Sequence, residues 1–249
     1  MGTTATARST ATTARIMVTE TIDTSGADGL ALVRLLQLVS PSLPVGGFTY
    51  SGGIEWAVEA GWLADAGAAE GWLLDQLDAG VARVDLPIAA RLIAAVGADD
   101  REALSAWIDL LLACRESLEL RAEEQQRGRA LADLLVAWEL PGAPAWRPLL
   151  ARSQTAGFAF AAVRWCIPTA DALTGLAFGW AENLTLAAVK LVPLGQTDGQ
   201  RMLARIAARI PTVVDLALAL RDDQLGASSP ALAIASARHE RQYTRLFRS

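Results

Sequence analysis

Apolar and polar residues follow one another at helical intervals from residue 30 onward, and no segment alternates with period two for long enough to make a strand. Leu32, Leu35, Leu36 and Val39 fall on one side of a first predicted helix, with Asp28 as its candidate cap. A second helix over 54–60 is stopped by Gly61, and a third runs over 66–84 behind Asp65. Pro87 suits the first turn of a fourth, and Asp99 with Glu102 has capping-box spacing in front of a fifth that continues to about 112. In a sixth, over 117–138, Glu119, Arg121, Glu123, Glu124, Arg127 and Arg129 alternate in sign, the pattern of a solvated or ion-paired face. The run LPGAPAWRP at 140–148 breaks the pattern and reads as an internal linker. Helices resume over 149–166, 170–192, 197–209 and 212–220, with one more from Pro230. Composition does not shift across the linker and no repeat is visible, so the expectation is one all-α domain over 29–249, a single-domain bundle of roughly ten helices. Residues 1–28, rich in Thr, Ala and Ser and without apolar period, read as a disordered tail.

Composition sharpens this picture in a few places. Hydrophobic residues make up 52% of the 249 and mean hydropathy is +0.28, values that point to apolar surface covered by a partner. The most apolar stretch, 172–192, carries Glu182, Asn183 and Lys190 and so reads as a buried helix, with no membrane association expected. A net charge of −5 argues against nucleic acid as a partner, and no phosphate loop of the GxxxxGK[ST] type is present, so any nucleotide belongs to another chain. Cys114 and Cys166 are far apart and fit free thiols in a reducing, cytoplasmic setting. With His239 the sole histidine and no HxH, CxxC or HxxxH spacing, neither a metal site nor a cofactor is expected. The first residues loosely resemble a transit peptide, having no acid before Glu20, and Met1-Gly2 with Thr6 fits a myristoylation pattern that is often met by chance.

The stretch QLVSPSLPVGGFTYSGGIEW, 37–56, interrupts the helices with two prolines and four glycines. Pro41 and Pro44 hold their predecessors extended, and the glycines admit backbone geometries closed to other residues. The result is a shaped loop carrying Phe48 and Tyr50 ahead of a helix with Glu55 and Trp56; it serves either as a buried connection or as a presented surface.

SPSLPVGGFTYSGGIEWAVEAGWL resembles the SPxLPVGxFxYSxGLEWAVExG signature of the urease accessory protein family UreF. WAENLTLAAVKLVPLGQTDGQRML and SPALAIASARHERQYTRLFRS resemble two further blocks of that family, in the same order, so that the similarity extends from about residue 30 to 249. The resemblance implies an all-helical, non-enzymatic maturation chaperone, usually a homodimer. Such a protein joins a UreD/UreH-type accessory protein and the GTPase UreG, regulates the GTPase, and supports nickel insertion into apo-urease without holding catalytic nickel. It also turns several residues into candidates for partner binding or regulation: Phe48, Tyr50, Glu55, Lys190 and Gln196, with Arg238, His239, Tyr243, Leu246, Phe247 and Arg248 in a partner-docking segment at about 230–249.

Lys190 is the only lysine among 22 basic residues, and at 100° per residue it lies about 80° from Glu182 around the helix. It fits a packing contact, such as an ion pair to Glu55 or Glu182, a coupling element toward the GTPase, or an acid/base pair with Glu182 in a small helical enzyme. No nucleophile, base or cofactor fingerprint supports the enzyme, and a bare dimerisation scaffold is the other alternative. Gln196, between Gly195 and the candidate cap Thr197, sits in a tight connection or a presented loop. From Pro230, a continuous helix would place His239, Tyr243, Leu246 and Phe247 on one side, with Arg238, Arg241, Arg245 and Arg248 on another. Such an amphipathic basic helix suits either a membrane surface or a groove on a partner; with no membrane among the expected partners, it is expected to be loosely held until the UreD/UreH-type partner orders it.

Overall fold

A computed structural model describes residues 1–2, 25–227 and 229–248 of the chain, and among them every regular element is helical. The first stretch is α1 (Ser25–Val39), α2 (Ile54–Glu59), α3 (Ala66–Gln76), α4 (Leu86–Gly97), α5 (Arg101–Ala113) and α6 (Leu118–Ala137). The second is α7 (Ala143–Leu150), α8 (Gln154–Arg164), α9 (Thr169–Leu191), α10 (Gln196–Ala207), α11 (Ile210–Ala219) and α12 (Pro230–His239). The all-α single domain is as expected. The disordered tail expected over 1–28 lies, for residues 3–24, outside the described residues; α1 starts at Ser25, so Asp28 lies within it rather than capping it.

α9 runs through the middle, touching α1, α2, α3, α4, α8, α10 and α11. Most of its buried positions are small, among them Ala172, Gly175, Ala177, Ala181, Ala187 and Ala188 beside the larger Leu173 and Leu184, and small residues let neighbouring helices approach closely. α8 is buried over Thr155–Ala162 and lies against α4 and α6, and Gly128 of α6 meets its start backbone to backbone.

Proline accounts for two departures from the sequence expectation. The third helix does not run evenly to 84: after α3 it widens into a π-helix, Leu77–Asp85, in front of Pro87. Pro87 has no N–H to give Arg83, and the Arg83 carbonyl instead accepts the Gly226 N–H at 3.1 Å. The expected linker at 140–148 is instead largely α7: Gly142, at φ 84, turns the chain, Pro144 stands in the first turn where no N–H is needed, and Trp146 is buried against Phe160. Two caps are displaced by one or two residues. Asp100, not Asp99, accepts the Ala103 N–H at 2.9 Å, and α10 starts behind Gly195 without help from Thr197.

Candidate functional site

The loop between α1 and α2 is held from below by buried Leu43, Val45 and Tyr50. Gly46, at φ 75, leads into a single 3-10 turn, Gly47–Thr49, which the Thr49 hydroxyl secures on the Gly46 carbonyl at 2.8 Å. Gly53, at φ 78, lets α12 lie against the loop: a Cβ there would stand 3.1 Å from that of Ala235. The two aromatics part company. Phe48 is 58% exposed, whereas Tyr50 is buried and its hydroxyl donates to Gln126 Oε1 at 2.8 Å, so only the first is presented.

Glu55, in the first turn of α2, is buried and fully occupied. Its Oε1 accepts the Leu246 N–H at 2.5 Å, and its Oε2 accepts the Phe247 N–H at 2.8 Å and faces His239 Nε2 at 3.1 Å. The other ring nitrogen of His239, Nδ1, faces Glu119 Oε2 at 2.7 Å, and Glu119 Oε1 accepts from Arg245 at 2.7 Å. Around this centre Ser117 and Ser236 hydroxyls pair at 2.6 Å, Glu240 accepts the Leu118 N–H at 2.8 Å, and the Arg248 N–H reaches the Thr49 carbonyl at 2.7 Å.

The continuous amphipathic helix expected beyond Pro230 is therefore corrected. α12 ends at His239, and residues 240–248 fold back as turns because Glu55 takes the N–H groups of Leu246 and Phe247 that a helix would have used internally. His239 and Phe247 face inward, while Tyr243 and Leu246 are exposed at 102% and 68%, and Arg238 and Arg248 are also exposed.

Lys190 places its Nζ 5.6 Å from the centre of the Phe247 ring, a cation–π contact. The expected ion pair to Glu55 or Glu182 is not among the described residues' ion pairs, since Glu55 is saturated by the folded-back segment. Nothing joins Glu182 to Lys190 as an acid/base pair; burial alone pushes the Glu182 carboxyl up. The structure thus brings Phe48, Glu55, Lys190, His239, Leu246, Phe247 and Arg248 into one neighbourhood. Gln196 stands exposed at the first position of α10.

Sequence reasoning missed Glu119 and Arg245, which complete the His239 centre; the run of mixed charges around Glu119 gives no sign that this member turns toward His239. It also missed a second cluster, in which Arg115 bridges Asp85 at 2.7 Å and Glu124 at 3.2 Å. Among the described residues no three His, Cys, Asp or Glu side chains are arranged to hold a metal ion, and no helix is long and apolar enough to cross a membrane. The neighbourhood is a hydrogen-bonded polar core beneath exposed apolar and basic side chains, an arrangement suited to binding.

The family model described as UreF matches residues 63–207. The urease accessory protein UreF of Pseudomonas putida is 56% identical over 220 residues, 88% of this chain and 98% of that protein. Those of Alcanivorax borkumensis, at 50% over 225 residues, and Escherichia coli, at 48% over 218, are similar over 88% and 87% of this chain and 98% and 97% of their own lengths.

Proposed function

This chain belongs to the UreF family of urease accessory proteins, and from that membership we propose that it is a non-enzymatic chaperone which assembles with a UreD/UreH-type accessory protein and the GTPase UreG. In that assembly it regulates the GTPase and supports nickel insertion into apo-urease, acting as a homodimer in the cytoplasm. The observation that carries the reading is the knot of Glu55, His239, Glu119 and Arg245, which fixes the 40–53 loop and the folded-back segment as one surface. Phe48, Tyr243 and Leu246 stand exposed on it, and the arginines 238, 241, 245 and 248 surround them. Apolar anchors with a charged margin favour a protein partner over a small substrate, the anchors supplying affinity and the arginines orientation and encounter rate.

Tyr243 and Leu246 belong to the UreD/UreH-facing part of this surface. Phe48 and Lys190 belong to the part that acts on the GTPase, with Lys190 coupling α9 to the folded-back segment through Phe247, and Gln196, exposed at the start of α10, adds a further contact to the GTPase. Co-purification with the other accessory proteins, followed by urease activation, tests this directly. Tyr243→Ala together with Leu246→Ala should abolish the UreD/UreH-type complex without changing helix content. Lys190→Ala should preserve the fold and the complex yet alter nickel loading of urease; unchanged loading and metal selectivity would leave Lys190 a packing residue.

A further inference from the structure

A cavity of about 210 Å³ lies beneath the 40–53 loop, between α1, the π-helix, α6, α9 and the start of α12. It is separate from the Glu55–His239 centre, no member of which lines it. Much of its wall is apolar, including Val45, Phe158 and Trp180. Two N–H donors on that wall have no acceptor: Gln76 Nε2, on a residue only 5% exposed, and Arg127 Nε. Arg127 gives Nη1 to Glu123 at 2.8 Å, which leaves its Nε side open. A donor buried without a partner is strongly disfavoured, so an oxygen acceptor belongs here.

Charge narrows the choice of acceptor. The ionisable wall residues are Asp85, Glu116, Glu123 and Glu124 against Arg115 and Arg127, four acids to two bases and a surplus of −2. A carboxylate or phosphate would enter against that surplus, and a bare cation would leave both donors unmet and face them unfavourably. An uncharged carbonyl compound whose own N–H groups can turn to the acidic wall answers both conditions. We propose that the cavity binds a small uncharged amide, the class that includes acetamide and urea, with its carbonyl oxygen as acceptor for the buried Gln76 Nε2 donor and its carbon frame against the apolar wall. This binding would be a property of the chain itself, independent of its partners in maturation.

The test is saturation-transfer NMR on the full chain with acetamide and urea at millimolar concentrations, with acetate as the charged isostere. Saturable binding of the amides, with acetate unable to displace them, is the expected result. Gln76→Leu should weaken acetamide about tenfold, as loss of one hydrogen bond would, with unchanged circular dichroism. A signal that never saturates would mean that the cavity holds water only, and would overturn the proposal. So would acetate binding as tightly as acetamide, or undiminished binding by a folded Gln76→Leu chain. Should that variant fail to fold, the comparison of acetamide with acetate on the unaltered protein decides alone.

Discussion

Glu124 lies in the middle of the alternating charges of α6 and is nevertheless buried, with Ser153 Oγ at 2.7 Å and the Thr155 N–H and hydroxyl each at 3.0 Å on one carboxylate oxygen. Burial opposes its ionisation, but Arg115, Ser153, Thr155 and Arg127 outweigh burial and hold the carboxyl down at about 2. At Asp85, across the same guanidinium, burial prevails and pushes the carboxyl up. A carboxyl depressed from 4.5 in the unfolded chain to about 2 contributes stability that is present above the higher value and lost as pH falls toward the lower. The shift corresponds to about 3 kcal/mol. Glu124→Gln should therefore lower stability by about that much at neutral pH, with the gap from the unaltered protein closing below pH 4.5, as guanidinium titrations over a pH series would record. No spacing rule separates Glu124 from its solvated neighbours in the sequence. Its difference arises from Ser153 and Thr155, which only the fold brings near.

Helices were legible wherever apolar period and cap agreed, as at Asp65, whose side chain does accept the Ala68 N–H at 2.9 Å. They were illegible where proline served two purposes, opening α7 within an apparent linker and widening the chain ahead of α4. Between elements, Gly128 decides how close α6 and α8 come. A Cβ at this position would stand 2.7 Å from the Ser153 carbonyl carbon and 2.8 Å from its nitrogen, and backbone cannot swing aside as a side chain can. Gly128→Ala should cost about 1–3 kcal/mol by overpacking, despite alanine's better helix propensity. Because the same displacement moves Ser153 and Thr155 off Glu124, its cost should not add to that of Glu124→Gln. A double-mutant cycle by thermal melting measures the coupling.

For the molecule as a whole, the sequence singled out several of the residues that the fold brings together, but not Glu119 or Arg245, and not which side chains would be buried. Phe48 and Tyr50 are both aromatic in a glycine-rich loop, and pattern alone could not say that a hydroxyl near Gln126 draws one of them inside. Likewise the helical period continues past His239 in the sequence, but the carboxylate that ends the helix comes from α2. Removing residues 240–248 should therefore do more than abolish binding of the UreD/UreH-type partner. It strips Glu55 of two N–H donors and uncovers the Phe247 site, so the melting temperature should fall by roughly 6–12 °C, taking about 3 kcal/mol and the usual scaling for a chain of this size. A truncated chain that melts like the intact one would mean that the folded-back segment contributes nothing at rest. The pairing of Glu55 with residues 184 to 192 positions further along also sets an order of events during synthesis. At about 5–20 residues per second, the ribosome needs roughly 10–40 s after making the loop before it makes the residues that lock it. Throughout that interval Glu55 lacks the groups that occupy it, so the surface joining the loop to the folded-back segment takes shape only after residues 239–247 have been made.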